Sequence, residues 1–432
     1  MTIKQITLVK NAIGIVIFWI APPLIYFFKE KLGFGGGSVF TGIVYVSGLV
    51  LMLNHFHAKV GHKPNTFLLL LGGTFFSVAM IYFFLMNKEM TMFNTDLINF
   101  ALIFGFLFSL LRVDNQVQKY LPVLILIITF LTSCALIYSV ATNPNYVFGT
   151  RATVQYTSKT TENFTGNPYI YSRNGLAGFL ISFLIINRNW DSIKVPHVHL
   201  TRLLAHINVW FSLIVIVLTQ TRATILTLLL ALPCILFFMV PVKSVFTNIK
   251  RQSYIFYAVA IGNLYYFATK LRIIELIDSY YNSFFNLFIR AMSTGVTLGK
   301  SSEVDESAMG RVNNINYIKQ LWNTSKIDFV FGHGYRYRYI DIPMLESLVN
   351  FGIFGFILFA GFHITFLYFA YRCFKSNTIF QNFIGLFYLN TFVGMFTSGR
   401  PMDFAYWVSF LIFIRFMNVE MVQDKNEIEK LD

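Results

Sequence analysis

Residues 203–240 read LLAHINVWFSLIVIVLTQTRATILTLLLALPCILFFMV, 38 positions with one charge, Arg222. A helix that crosses a bilayer needs about 20 consecutive apolar residues. The run is therefore long enough for two crossings, separated by the polar turn Thr219-Gln220-Thr221-Arg222. Apolar runs of this kind recur along the whole chain, near 8–28, 38–54, 67–86, 96–111, 121–141, 173–187, 203–220, 222–240, 254–269, 343–371, 378–397 and 404–419. Of the 432 residues 56% are apolar and only 12% charged, against about a quarter charged in a soluble domain. That balance excludes an ordinary soluble enzyme and a disordered chain. It predicts an all-α polytopic membrane protein of about twelve transmembrane helices with a large, partly helical periplasmic loop.

The net charge of +14 comes from basic residues scattered through short loops. No basic arm or aromatic-basic sheet of the nucleic-acid-binding kind is visible. With the N-terminus inside, the cytoplasmic loops take most of the Lys and Arg, which is the positive-inside pattern and puts both termini in the cytoplasm. Residues 1–269 then hold spans one to nine, 270–342 the large outer loop, 343–419 the last three spans and 420–432 a cytoplasmic tail. The first run, 8–28, lacks a small-residue cleavage site and is read as a retained helix. Within the outer loop, Leu271, Ile274, Ile277, Phe284, Leu287 and Phe288 form one amphipathic stripe. Ser302-x-x-Asp305 resembles a capping box ahead of a second helix carrying Met309, Val312, Ile315, Ile318 and Trp322 on one face. Cys134, Cys234 and Cys373 give neither a disulfide framework nor metal spacing.

A charge at membrane depth is costly and asks for a partner or a function. Arg173 opens the sixth span and Arg222 splits the quoted run, both on the outer side. Each alone is compatible with a side chain that snorkels to the interface. Together with Arg311, Arg336, Arg338 and Arg400 on the same side, they point to a shared anion site, since a guanidinium donates two parallel hydrogen bonds to phosphate. The stretch Gly332-His333-Gly334-Tyr335-Arg336-Tyr337-Arg338-Tyr339-Ile340-Asp341, with Glu346 beyond it, adds glycines, aromatic faces for sugars and two carboxylates. An interfacial aromatic belt with ion pairs is the plainer reading of the same residues. His333 is a candidate base or a turn residue. His206 and His363 read as packing residues, and neither the histidines at 55, 57 and 62 nor Glu303 and Asp305 make a convincing metal site. No metal and no cofactor are expected.

The arrangement resembles the superfamily of O-antigen ligases and Wzy-type O-antigen polymerases. Leu218-Thr219-Gln220-Thr221-Arg222-Ala223-Thr224 is similar to the family's Thr/Ser-Arg turn, and Gly310-Arg311 to its loop arginine. Phe331-Gly332-His333-Gly334 and Gly352-Ile353-Phe354-Gly355 resemble its two glycine motifs. The likeness covers roughly 170–360. The ligases' histidine before Gly-x-x-Gly is missing, with Asp341 in its place, so the chain looks more like a polymerase. The run Ser398 to Phe404 is polymerase-like too.

The resemblance implies transfer of an undecaprenyl-pyrophosphate-linked oligosaccharide at the periplasmic face of the bacterial inner membrane. A flippase and a chain-length regulator would be partners. It implies Arg222, Arg173 and Arg311 on the pyrophosphates and Asp341 as base. Glu346, Arg336, Arg338 and Arg400 would orient these groups, and His333, Tyr335 and Tyr337 would lie along the sugar. The alternative is a ligase acting on the lipid A core. A transporter or flippase fits less well, because one long outer loop breaks the two-halves symmetry usual in transporters.

Overall fold

The computed structural model describes residues 2–33, 38–53, 64–143, 146, 151–154, 167–187, 198–239 and 306–417. Helices account for nearly all of them: α1 Ile3–Trp19, α2 Pro22–Lys31, α3 Ser38–Met52, α4 Thr66–Leu85, α5 Phe93–Leu110, α6 Leu121–Ala141, α7 Pro168–Asn187, α8 Val198–Thr219, α9 Arg222–Phe238, α10 Glu306–Thr324, α11 Lys326–Phe331, α12 Pro343–Phe374, α13 Ile379–Gly394 and α14 Phe404–Phe416. There is no strand among the described residues. Six of the helices, α4 to α8 and α12, are long and apolar enough to cross a membrane, the fifth counted from Met90, and the bent pair α1–α2 makes up to seven. The protein is an all-α membrane protein.

The apolar runs predicted from sequence become helices with ends moved by a few residues, and the quoted run is indeed α8, a turn, and α9. Two spans differ. The run 8–28 is two helices bent by 69°, because Pro22 and Pro23 offer no N–H to the carbonyls one turn back. The tenth span breaks at Gly352, whose φ of 69° and ψ of −173° lie outside the helical region. The helix expected around 309–322 is α10, whereas α11 is too short to announce itself by periodicity. The ninth span, the stripe at 271–288 and the tail fall outside the described residues.

The packing is that of a membrane bundle. Ile43, Val46 and Val50 on α3, Ile81, Phe84 and Leu85 on α4, and Phe354 and Ile357 on α12 are all exposed, an apolar surface far larger than a soluble monomer shows. Polar side chains sit inside instead and bind helices to one another. Asn208 of α8 is fully buried and donates to Thr129 Oγ1 of α6 (3.2 Å), Ser182 Oγ of α7 (3.0 Å) and the Gly178 carbonyl (3.3 Å). At the far end of the bundle the buried Arg415 of α14 donates to the Leu110 and Val113 carbonyls at 3.1 and 2.8 Å, and to Asn115 at 2.6 Å. Those carbonyls lie at and just past the end of α5, where no helical partner remains for them.

Candidate active site

Four segments meet at the opposite end. The first is the α1–α2 break, where α7 takes up backbone carbonyls: Asn174 Nδ2 donates to Ile20 O at 2.6 Å and Tyr171 OH to Pro23 O at 3.0 Å. Docking α7 there sets Arg173, whose guanidinium donates to Ser409 Oγ of α14 and lies 5.1 Å from the Phe387 ring. Ser409 also accepts from Trp19 Nε1 at 3.2 Å and donates to Ala405 O at 3.0 Å. One hydroxyl thus holds both an arginine and a tryptophan.

The second segment is the loop after α11. In an unbroken helix the carbonyls of Val349 and Asn350 would accept from residues 353 and 354. The break at Gly352 frees them, and His333 N and Gly334 N donate to them at 2.9 and 3.0 Å. The loop then pairs with the end of α4, Tyr335 N to Met86 O and Lys88 N to Tyr335 O, both 3.0 Å. Gly332 and Gly352, at φ of 77° and 69°, face each other so closely that a Cβ on Gly352 would lie 2.6 Å from the Val330 carbonyl carbon. Tyr335 enters the core against Phe83, Phe100 and Phe351. The next residue, Arg336, reaches Asp96 of α5, with Nε to Oδ2 at 2.6 Å and Nη2 to Oδ1 at 2.8 Å, and Glu89 at 3.1 Å.

Glu346, in the first turn of α12 and 1% exposed, is the third element. It accepts from Ile340 N at 3.2 Å and from Asn350 Nδ2 at 3.3 Å, and lies 3.8 Å from Arg400. It thereby joins the loop to the helix break and to the fourth segment. Beside it Asp341 accepts from Tyr339 OH at 2.7 Å. The fourth segment, Ser398 to Asp403, turns at Gly399, and its Arg400 N donates to Asp403 Oδ2 at 2.7 Å. Arg400 lies 3.8 Å from Glu89, with its guanidinium 5.0 Å from the Tyr339 ring. Gln220, Arg336 and Asp341 are the non-glycine residues at positive φ among those described. Two of the three lie in this loop, and such strain concentrates where function holds it.

These segments enclose a cavity of about 810 Å³. Arg173, Arg336, Arg400, Asp341 and Asp403 bring charge to its wall, and Trp19, Phe387, Tyr169, Tyr339 and Tyr406 bring aromatic rings. The three guanidiniums are not equivalent. Arg336 is matched by two carboxylates and Arg400 has two at 3.8 Å. Arg173 has no carboxylate within ion-pair distance among the described residues. Burial works against the Arg336 charge, but the hydrogen bonds and charge of Asp96 outweigh it and hold its pKa above the usual value. Burial, then the bond to Asp341, pushes the Tyr339 phenol up, so it stays a neutral donor to that carboxylate. Asp403 is also pushed up by burial, with Arg400 opposing.

That last shift has a sign that can be measured. A carboxyl whose folded-state pKa exceeds its unfolded value loses stability as pH rises through the folded value. Asp403→Asn keeps an acceptor for Arg400 N and removes the ionisation. Its melting temperature relative to wild type is expected to climb as pH rises above the ordinary aspartate value of about 4, and a gap independent of pH would contradict this.

Of the residues singled out in the sequence, Arg173, Arg336, Arg400 and Asp341 come together on the cavity, with Glu346 directly behind. Tyr335 is in the core. His333, Tyr337 and Arg338 are not among the lining residues. His333 stacks on Tyr337 at 4.3 Å and lies 3.7 Å from Asp328; Arg338 lies 3.9 Å over Tyr317. Arg222 opens α9 beside Thr221 and Thr224, which both hydrogen-bond Ser172, the neighbour of Arg173, yet it does not line the cavity. Arg311 is on α10, and its side chain is outside the described part. Glu89, Asp96 and Asp403 were missed. Asp96 stands in the first turn of its helix, where an acid is ordinary, and only its burial against Arg336 sets it apart. No protein-family model matches this chain, and no curated protein matches it.

Proposed function

We propose that this protein is a membrane glycosyltransferase that joins lipid-pyrophosphate-linked oligosaccharide units, an O-antigen polymerase of the Wzy type. The observation that carries the reading is the convergence of Arg173, Arg336, Arg400 and Asp341, distant in sequence, on one cavity at one end of an apolar bundle. A glycosyl donor of this class has a diphosphate leaving group. Negative charge builds on it as its bond to the anomeric carbon breaks, and fixed guanidiniums stabilise that charge most where water is excluded. Arg173 has most to offer, since no carboxylate among the described residues lies within ion-pair distance of it. Asp341 takes the proton of the acceptor hydroxyl as that oxygen bonds the anomeric carbon. The aromatic wall suits sugar faces.

In the topology that goes with this reading the chain crosses the inner membrane twelve times with both termini in the cytoplasm. The alternation then brings the end of α4 and the starts of α5, α7, α12 and α14 to the periplasmic side, where the cavity opens. A flippase and a chain-length regulator are the partners this activity requires. A ligase would need a histidine base, and His333 is not among the cavity-lining residues, which favours the polymerase.

Deleting the gene and running the host's lipopolysaccharide on a silver-stained gel tests this. Core carrying one repeat unit supports a polymerase, bare core would make the protein the ligase, and an unchanged ladder removes it from O-antigen assembly. On the same gel Asp341→Asn should lower polymer formation by about 10²–10⁴-fold, the usual worth of a positioned base, at normal protein levels.

A further inference from the structure

The loop that builds the cavity has a second face. Tyr335 and Arg336 turn inward and Tyr339 sits at the cavity wall, while Tyr337 and Arg338 between them are exposed. Tyr337 is 42% exposed and its ring is backed by His333, 4.3 Å away and nearly parallel at 23°. Its hydroxyl meets that of Tyr317 on α10, and the Arg338 guanidinium lies 3.9 Å over the Tyr317 ring and also hydrogen-bonds the Tyr317 side chain. α10 is anchored to the same loop by Asn314 Nδ2, which donates to Ile340 O at 2.6 Å. Two aromatic rings and a guanidinium therefore form one braced ledge on two elements, and it runs without a break in the chain into Tyr339 at the cavity wall.

The contacts to Tyr317 do not exhaust the N–H donors of Arg338. Arg336, two residues earlier, is taken up by Asp96 and Glu89; Arg338 has no carboxylate within ion-pair distance among the described residues. A guanidinium stacked on a ring keeps its edge N–H groups pointing outward, able to grip a carboxylate or a pair of neighbouring hydroxyls in two-pronged fashion. An aromatic ring backed on one side presents its other side to C–H groups, and a pyranose offers such a face beside its hydroxyls. Tyr337 lies about 7 Å along the chain from Tyr339, a step on the scale of one sugar residue.

We propose that Tyr337, Arg338, Tyr317 and His333 form a glycan subsite outside the cavity, which holds sugar units of the chain beyond those that react. The proposal rests on the polymerase reading and adds to it a consequence for product length. A held glycan dissociates more slowly between successive additions, so the ledge sets how many units are added per encounter and leaves the bond-forming step to the cavity.

The test uses the full-length protein in nanodiscs and oligosaccharides released from the host's own surface polysaccharide by mild acid. Binding is followed by saturation-transfer NMR, and the cellular polymer is sized on gels. The double variant Tyr337→Ala, Arg338→Ala should bind the oligosaccharide at least about tenfold more weakly and give shorter polymer, with repeat units still being joined. Tyr337→Phe keeps the ring and should retain binding, which separates loss of the subsite from a disturbed loop. Arg173→Ala should lose polymer while still binding the free oligosaccharide, because the pyrophosphate is absent from that probe. Unchanged affinity and an unchanged ladder in the double variant would overturn the subsite. No binding of the oligosaccharide by the wild type would do so as well. An unchanged ladder on deleting the whole gene would overturn the polymerase reading instead, so the two failures are told apart.

Discussion

Arg173→Ala is expected to cut polymer formation by about 10²–10³-fold, the cost of removing one preorganised donor from a developing negative charge, with the folded protein still accumulating. The second half of that statement follows from the company Arg173 keeps. Its partners are a hydroxyl, Ser409, and an aromatic ring, Phe387, so its removal strands no opposite charge among the described residues. Arg336 makes the contrast. Asp96 is 3% exposed and grips Arg336 at 2.6 and 2.8 Å; taking one member of a buried pair costs about 3–5 kcal/mol through the charge left behind. Arg336→Ala should therefore lower the amount of folded protein, and Arg173→Ala should not. Arg173→Lys is expected to recover little, since a lysine cannot reproduce the planar two-pronged contact. Melting curves in detergent beside a gel of the cellular polymer separate the two arginines. Equal loss of folded protein in both variants would mean that Arg173 is structural.

The second large effect concerns the backbone. Gly352→Ala should destabilise the protein by more than about 3 kcal/mol, the upper end for a strained backbone conformation, and leave little folded material in the membrane. Two independent reasons add. At φ of 69° and ψ of −173° the backbone occupies a region open essentially to glycine alone. A new Cβ would also lie 2.6 and 2.7 Å from the carbonyl carbons of Val330 and Phe331, which are backbone atoms and cannot swing aside. The loop would have to leave the helix break, and with it would go the bonds from His333 N and Gly334 N. Gly361 in the same helix has nothing within 4 Å of where a Cβ would sit, so Gly361→Ala should be neutral or slightly stabilising. If both substitutions behaved alike, the account of the break would fail.

The long apolar helices were legible because a bilayer imposes one dominant requirement, a long apolar run, and the runs 121–141 and 203–220 announce it with no help from the rest of the chain. The bends were less so. Pro22-Pro23 sits inside a run read as one span, and the packing of the break against Tyr171 and Asn174, about 150 positions later, is visible only in the structure. Gly352 stands out in the sequence as a motif glycine, whereas its actual task, letting a distant loop lie against a split helix, is visible only when Gly332 is placed beside it. Of the cavity's arginines, Arg173 stood out because it opens an apolar run, and Arg336 and Arg400 because they join it on the outer side. Asp96 and Glu89 did not, since acids near the start of a helix are commonplace and their value here comes from Arg336, some 240 positions away. Tyr335 and Tyr337 look equivalent in the sequence. Two residues apart in an irregular loop, one is in the core and the other faces water.

The hydroxyl of Ser409, where Trp19 and Arg173 both end, has a consequence for how the protein is made. A ribosome that has delivered everything up to Gly394 has supplied α1, α7, both faces of the glycine contact and Asp341. The cavity is still incomplete, because the hydroxyl shared by Trp19 and Arg173 belongs to the last helix. A chain released near that point would lack one wall of the cavity, because its lining from Ser398 to Tyr406 follows every other lining residue in the chain.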